Sequence, residues 1–153
     1  GSSLEFAKDW KLSANYTYID SEQKSGINAG KPLNSTPKHT VNAKINWQAS
    51  PALNLWGQAK YTGERYRLED TGTSRSKATL GNYKGYSLLD IGGNYKVNKS
   101  LTFNMAIYNL LDKNFADYYP VVSGAVPPVT SYQSKYNGNF ERRRLWISAN
   151  YTF

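Results

Sequence analysis

Three groups of residues in this chain could do chemistry. Cations and rings stand together in Arg65-Tyr66-Arg67, in Tyr83-Lys84, around Tyr118-Tyr119, and in Arg142-Arg143-Arg144. Arg75, Lys77, Tyr132, Lys135 and Tyr136 add to them. Guanidinium and ammonium groups beside aromatic faces suit anion binding, whether the anion is a small ligand, a lipid phosphate or a nucleic acid. Close acidic residues form the second group: Asp20 with Glu22, and Glu64 with Glu69-Asp70. Paired carboxylates can serve acid/base catalysis or calcium, but these lack the spacing of a calcium loop and read as solvated loop charge. The third is His39, the one histidine. It has no distinguished serine nearby, which places a hydrolase last among the alternatives, and it reads as a rim residue. Gly92-Gly93 is no phosphate loop, because no Gly-Lys-Ser/Thr follows it.

The elements that must position these groups are strands. Trp10, Leu12, Ala14, Tyr16 and Tyr18 alternate with Lys11, Ser13, Asn15 and Thr17. The same period of two sets Val41, Ala43, Ile45 and Trp47 against Asn42, Lys44 and Asn46. It recurs over Leu53–Thr62, Leu89–Val97, Leu101–Tyr108 and Leu145–Phe153, and Leu4 and Phe6 look like part of one more strand. Runs of about 9–11 residues are what a tilted strand needs to cross a bilayer. The polar sets are rich in Asn and Gln, which ordinary strands avoid but a wet lumen accepts. Trp10, Tyr18, Trp47, Tyr61, Tyr95 and Tyr151 fall near strand ends, where membrane barrels carry aromatic girdles.

Connector lengths alternate as well. Long segments over Ser21–Lys38, Arg65–Gly85 and Leu111–Arg143 are separated by tight turns at Ala49-Ser50-Pro51-Ala52 and Asn98-Lys99-Ser100. Outer-membrane barrels pair short periplasmic turns with long extracellular loops. The reading is an all-β antiparallel transmembrane barrel segment, with six full strands and one partial strand. An odd strand count leaves edges that lipid does not tolerate, so this chain is expected to be part of a larger barrel or to pair with another chain. The last strand, following a long loop, is expected to end at Phe153 on the periplasmic face.

Composition excludes several other classes. The 153 residues contain no cysteine, so there is neither a disulfide framework nor a thiolate zinc site. A mean hydropathy of −0.66 suggests a water-soluble chain, but alternation cancels in such averages. The formal net charge of +8 raises the possibility of a nucleic-acid binder, yet the basic residues scatter over loops and one strand face instead of forming a stripe. A plugless porin is the nearer alternative. No secretion signal is visible, so residue 1 is not expected to be the natural start.

Several strings resemble TonB-dependent receptors of the ferric siderophore and colicin receptor type. They are KLSANYTYIDSE (Lys11–Glu22), GKPLNSTPKHTVNAKINW (Gly30–Trp47), YTGERY (Tyr61–Tyr66), YSLLDIGGNYKVNKSLTFNMAIYNLLDKNF (Tyr86–Phe115) and RRRLWISANYTF (Arg142–Phe153). Within them, Asn109-Leu110-Leu111-Asp112-Lys113 is similar to a signature near the end of these barrels. The resemblance implies the last six to seven strands of a 22-stranded, plugged barrel. Residues 1–153 would be its C-terminal portion, with signal peptide, TonB box and plug absent. It further implies an outer-membrane location and uptake of a ferric siderophore, leaning to the catecholate type, with no enzymatic activity. Iron would enter only as part of the ligand, with no cofactor of the protein's own. Implied partners are the TonB complex through the missing N-terminal part, outer-membrane lipid and lipopolysaccharide, and a colicin or phage; nucleic acid is not expected. A ferric catecholate is anionic and aromatic, so the ligand-binding candidates are Arg65, Tyr66, Arg67, Tyr83, Lys84, Tyr118, Tyr119, Arg142 and Arg143.

Overall fold

The computed structural model describes residues 1–67, 81–114, 118–122, 127–134 and 142–153. Nine strands form in chain order: β1 (Ser2–Ala7), β2 (Trp10–Tyr18), β3 (His39–Ser50), β4 (Leu53–Thr62), β5 (Tyr86–Lys96), β6 (Leu101–Tyr108), β7 (Tyr118–Val122), β8 (Thr130–Ser134) and β9 (Arg144–Tyr151). Seven of them make one sheet in the order β1-β2-β3-β4-β5-β6-β9, every pair antiparallel. The remaining two, β7 and β8, pair only with each other. The predicted run over residues 41–47 proves longer, because β3 continues to His39 and Ser50. The segment read as the third long loop contains the β7–β8 hairpin. Its strands have five residues each, too short to show a convincing period.

Both tight turns are closed by side chains. Ser50 Oγ accepts from the amides of Ala52 (3.3 Å) and Leu53 (3.1 Å). Asn98 Oδ1 accepts from those of Ser100 (2.8 Å) and Leu101 (2.9 Å), an Asx turn that leaves no room for a longer loop. These turns lie at one end of the sheet and the long connectors at the other. Consequently β1 and β9, the two edges, run in the same direction and cannot pair antiparallel with each other. An antiparallel barrel containing this sheet needs an odd number of further strands.

The two faces carry inverted exposure. On one, Leu12, Ile45, Trp47, Leu55, Ile91, Phe103, Met105 and Ile147 are all open, Met105 at 53% and Ile147 at 57%. On the other, most polar alternates of the central strands, such as Asn42, Lys44, Gln58, Asn94 and Asn104, are half-buried, and Asp90 is only 2% exposed. Among the described residues no side chain is wholly enclosed in a dry core. A water-soluble sheet would bury its apolar face, and here that face has only the membrane to cover it. Aromatic residues mark both ends of the open face. Trp10 stacks on Trp47 at the tight-turn end (centroids 5.1 Å apart), and Tyr16 and Tyr18 crowd around His39 at the loop end.

Neighbouring positions on β6 therefore face opposite solvents. In folded full-length receptor, Met105→Arg should lower stability by about 2–4 kcal/mol, the cost of a cation near the bilayer midplane. Asn104→Arg, on the wet face, should cost about 1 kcal/mol or less, mainly its hydrogen bond to Ser148. Urea titration in lipid vesicles, followed by the gel mobility of the folded form, reads both.

Candidate functional site: the long-loop end of the sheet

Beyond β4 and β5 the chain keeps pairing. Arg65 exchanges both backbone hydrogen bonds with Tyr83 at 3.0 Å, and Pro37 bridges to Arg65 on the other side. The Ser35 amide donates to the Tyr66 carbonyl at 2.9 Å. The first two long connectors are thus joined above the rim by a short continuation of the sheet. Gly63 permits the join, since a Cβ there would stand 2.9 Å from the His39 carbonyl oxygen.

Side chains fill this junction. The Arg67 guanidinium lies 3.7 Å from the Tyr83 ring centroid, and its Nε donates to the Gly81 carbonyl at 2.9 Å. The Arg65 guanidinium sits 5.2 Å from Tyr83 and 5.8 Å from Tyr86. Asn82 ties the cluster down, accepting from the Arg67 amide and donating to Glu64 Oε1 at 2.7 Å. Of the sequence candidates, Arg65, Tyr66, Arg67 and Tyr83 are brought together here. Tyr66, Arg67 and Tyr83 are buried, Arg65 half-buried and Lys84 exposed. The buried three shape the rim more than they present themselves to it.

Asn109-Leu110-Leu111-Asp112-Lys113 is a turn with two side-chain anchors. Asn109 and Asp112 both adopt φ of 50°, a left-handed conformation that short polar side chains tolerate. Asn109 is buried; its amide group donates to the Lys113 carbonyl (3.0 Å) and accepts from the Lys113 N–H (2.8 Å). Its own N–H donates to Asp90 Oδ1 at 2.9 Å, while Asp90 Oδ2 pairs with Lys60 Nζ at 2.8 Å. Asp112 takes Arg142 in a two-pronged grip (3.0 and 2.7 Å) and also accepts from the Arg143 amide at 3.0 Å. Arg142 and Arg143 therefore clamp the feet of the third long connector together. Arg144, one residue on, stacks over Tyr108 at 4.8 Å.

Tyr118 and Tyr119 begin β7 opposite Ser134 and Gln133, with Tyr132 in β8; the placement of these side chains lies outside what the structure describes. Arg75, Lys77, Glu69, Asp70, Lys135 and Tyr136 also lie outside the described residues. His39 is a rim residue whose Nδ1 meets Tyr16 Oη at 2.8 Å. Beside it, Lys38 is held above the usual lysine range, first by its hydrogen bond with Tyr18 and then by that hydroxyl's charge and Asp20. Among the described residues no group of His, Asp and Glu could hold a metal ion. Sequence reasoning missed Lys60, Asp90 and the Asp112 clamp. Their only signals were a carboxylate on an amide-rich strand face and the unexplained pentapeptide.

A profile of the family described as "TonB dependent receptor-like, beta-barrel" matches residues 1–110. The chain belongs to the TonB-dependent receptor β-barrel family. It is a stretch of outer-membrane receptor wall, not an enzyme. Against the iron-regulated outer membrane virulence protein of Vibrio cholerae, it is 38% identical over 124 residues. That match covers 80% of this chain and 18% of the relative, so the chain spans less than a fifth of that relative's length. The catecholate siderophore receptor Fiu of Escherichia coli K12 is 27% identical over 114 residues, covering 69% of this chain and 14% of Fiu. In fold, the chain is similar to a ferric enterobactin receptor of Pseudomonas aeruginosa. The TM-score is 0.71 at 23% identity, over 99% of this chain and 21% of that one. The siderophore receptor PirA of Acinetobacter baumannii gives a TM-score of 0.68 at 24% identity, with the same coverage.

The Arg142 bond, followed by the Arg143 amide, lowers the Asp112 carboxyl from 3.8 to about 2. A depressed carboxylate stabilises the folded receptor above its ordinary pKa and loses that contribution as pH falls through the lowered one. Protease resistance of the third long connector should therefore persist at pH 5 and weaken only below about pH 4. Asp112→Asn should make the same segment cleavable at neutral pH; equal resistance of variant and wild type would refute the clamp. Asp90→Ala, which strands Lys60 and the Asn109 amide, should cost about 1–3 kcal/mol in the urea assay.

Proposed function

We propose that this chain is the C-terminal barrel portion of a receptor importing a ferric siderophore of the catecholate type, with energy delivered by TonB to an N-terminal part of the protein. The observation that carries the reading is the concentration of cation–ring pairs at the long-loop end: Arg65 and Arg67 on Tyr83, and Arg144 on Tyr108. Long loops of outer-membrane barrels lie outside the cell, so the rim these pairs hold in place would meet ligand first. Fixed cations attract an anionic ferric chelate, and rings match its catechol planes. The names of the V. cholerae, E. coli and P. aeruginosa relatives, which speak of iron regulation, a catecholate siderophore and ferric enterobactin respectively, agree in direction.

Within the rim, ligand contact falls to the exposed cations Lys84, Arg142 and Arg143, less to the half-buried Arg65, with Tyr118 and Tyr119 of the β7–β8 hairpin. Tyr66, Arg67 and Tyr83 hold the rim's shape. On the outward side, Lys38, Tyr18 and His39 suit the phosphates of lipopolysaccharide.

The test is uptake of radio-iron by an iron-starved strain carrying the full-length receptor as its sole route for a ferric tris-catecholate. Lys84→Ala with Arg143→Ala should weaken surface binding about tenfold, the loss of two exposed charge-assisted contacts. Unchanged binding, or uptake that persists without cellular energy, would overturn the proposal; the latter would favour a porin.

A further inference from the structure

The outward face of the sheet is not flat. Toward its tight-turn end a groove of about 590 Å³ follows β5, walled by Leu55 of β4 and Met105 of β6. Gly93 is its floor, with Ile91 on the loop side and Tyr95 and Phe103 on the turn side. A Cβ at Gly93 would stand 2.7 Å from the Asn54 carbonyl oxygen and 2.8 Å from Leu55 Cδ2, so no side chain can fill the notch from below. Its neighbour Gly92 faces the lumen beneath Trp56, whose ring a Cβ would meet at 2.5 Å. Both faces of the wall therefore lack a side chain at one point, and the wall is thinnest there. Among the described residues no charged one lines the groove. An apolar notch left empty forfeits the dispersion contacts of its lining, and a flexible hydrocarbon chain restores them where a rigid group cannot.

We propose that the groove seats an acyl chain of an anionic glycerophospholipid from the inner leaflet of the outer membrane, with the lipid's phosphate held at Lys99. Depth, length and charge support one another. Tight turns of outer-membrane barrels are periplasmic, so the groove opens to the inner leaflet, which is built of glycerophospholipid. From Tyr95 to Ile91 it follows four residues, about 13 Å along the strand. At a tilt of about 35–45° this is about 10 Å of depth, most of one leaflet of a hydrocarbon core about 30 Å thick. A chain lying there brings its headgroup to the level of Asn98-Lys99-Ser100, the turn between β5 and β6. Lys99 is exposed at that turn, and a lysine near a membrane surface attracts anionic lipid. Tyr95 and Tyr151, 51% and 60% exposed, stand on the strands either side of β6 with hydroxyls that suit phosphate oxygens. The side-chain carboxylates at this end, Glu5 and Asp9, belong to the β1–β2 corner, three strands from β5. The site is independent of which ligand the receptor imports.

The experiment is native mass spectrometry of the full-length receptor in detergent, folded by gel mobility, titrated with phosphatidylglycerol, phosphatidylethanolamine or lipid A. Phosphatidylglycerol should be retained about fivefold more tightly than phosphatidylethanolamine, the effect of one interfacial cation. Lys99→Gln should bring the two phospholipids level without weakening phosphatidylethanolamine. Met105→Trp and, separately, Ile147→Trp place apolar bulk over the groove from its open side, and each should release both phospholipids. Leu12→Trp, on the same face but beyond the groove, should retain them. Equal retention of the two phospholipids by the unaltered receptor overturns the proposal, as does undiminished retention by both groove variants. An equal loss in Leu12→Trp also overturns it. Tighter binding of lipid A overturns it in favour of an outer-leaflet site. A dimer that Met105→Trp dissociates overturns it in favour of a second copy covering the groove.

Discussion

The constraint on which the rest depends is that a sheet in lipid has no water to satisfy its backbone, so every strand must pair along its length. Seven strands meet this through antiparallel ladders of six to ten residue pairs, apart from the shorter β1 pairing. Once the ladders are fixed, the side chains have no choice of face. Alternate residues enter hydrocarbon or water, and a slip of one would carry Lys44, Lys60 and Asp90 into the membrane. The inverted exposure, with Met105 and Ile147 open and Asp90 covered, follows from the register.

The same register organises the functional end. Lys60 and Asp90 stand on adjacent strands close enough to pair, and the pair then receives the backbone of Asn109 at the start of the third long connector. A wet-face salt bridge thereby seats a loop. Above the neighbouring strands, Arg65 and Tyr83 extend the sheet by one more pairing step. Membrane-spanning wall and extracellular rim form one hydrogen-bonded structure, and the cations at the top are held by the ladders below.

Much of this was legible in the sequence, and the reasons are physical. Alternation over Trp10–Tyr18 or Leu53–Thr62 is imposed by two unlike solvents, so it shows wherever a strand is long. Asn98-Lys99-Ser100 and Ser50-Pro51 announce turns through their own side-chain chemistry. The features that stayed hidden depend on partners far apart in the chain. Nothing near Asp112 says that Arg142 grips it, and nothing in Arg67 or Tyr83 foretells that they cover one another. The hairpin at Tyr118–Val122 escaped because five residues and a proline give too little period to read. Register, which aligns Trp56 with Trp146 across four strands, exists only once the pairings are known.

The grip of Asp112 on Arg142 has an evolutionary consequence. It joins positions 30 apart, so the chain between them leaves and returns through one fixed neck. Lengthening a loop whose ends are already held adds little entropy cost, about 0.6 kcal/mol for each doubling. Residues beyond the neck can be replaced, inserted or lost with the strain ending at the two anchors. Such a surface can diversify under attack while the wall beneath it stays as it was.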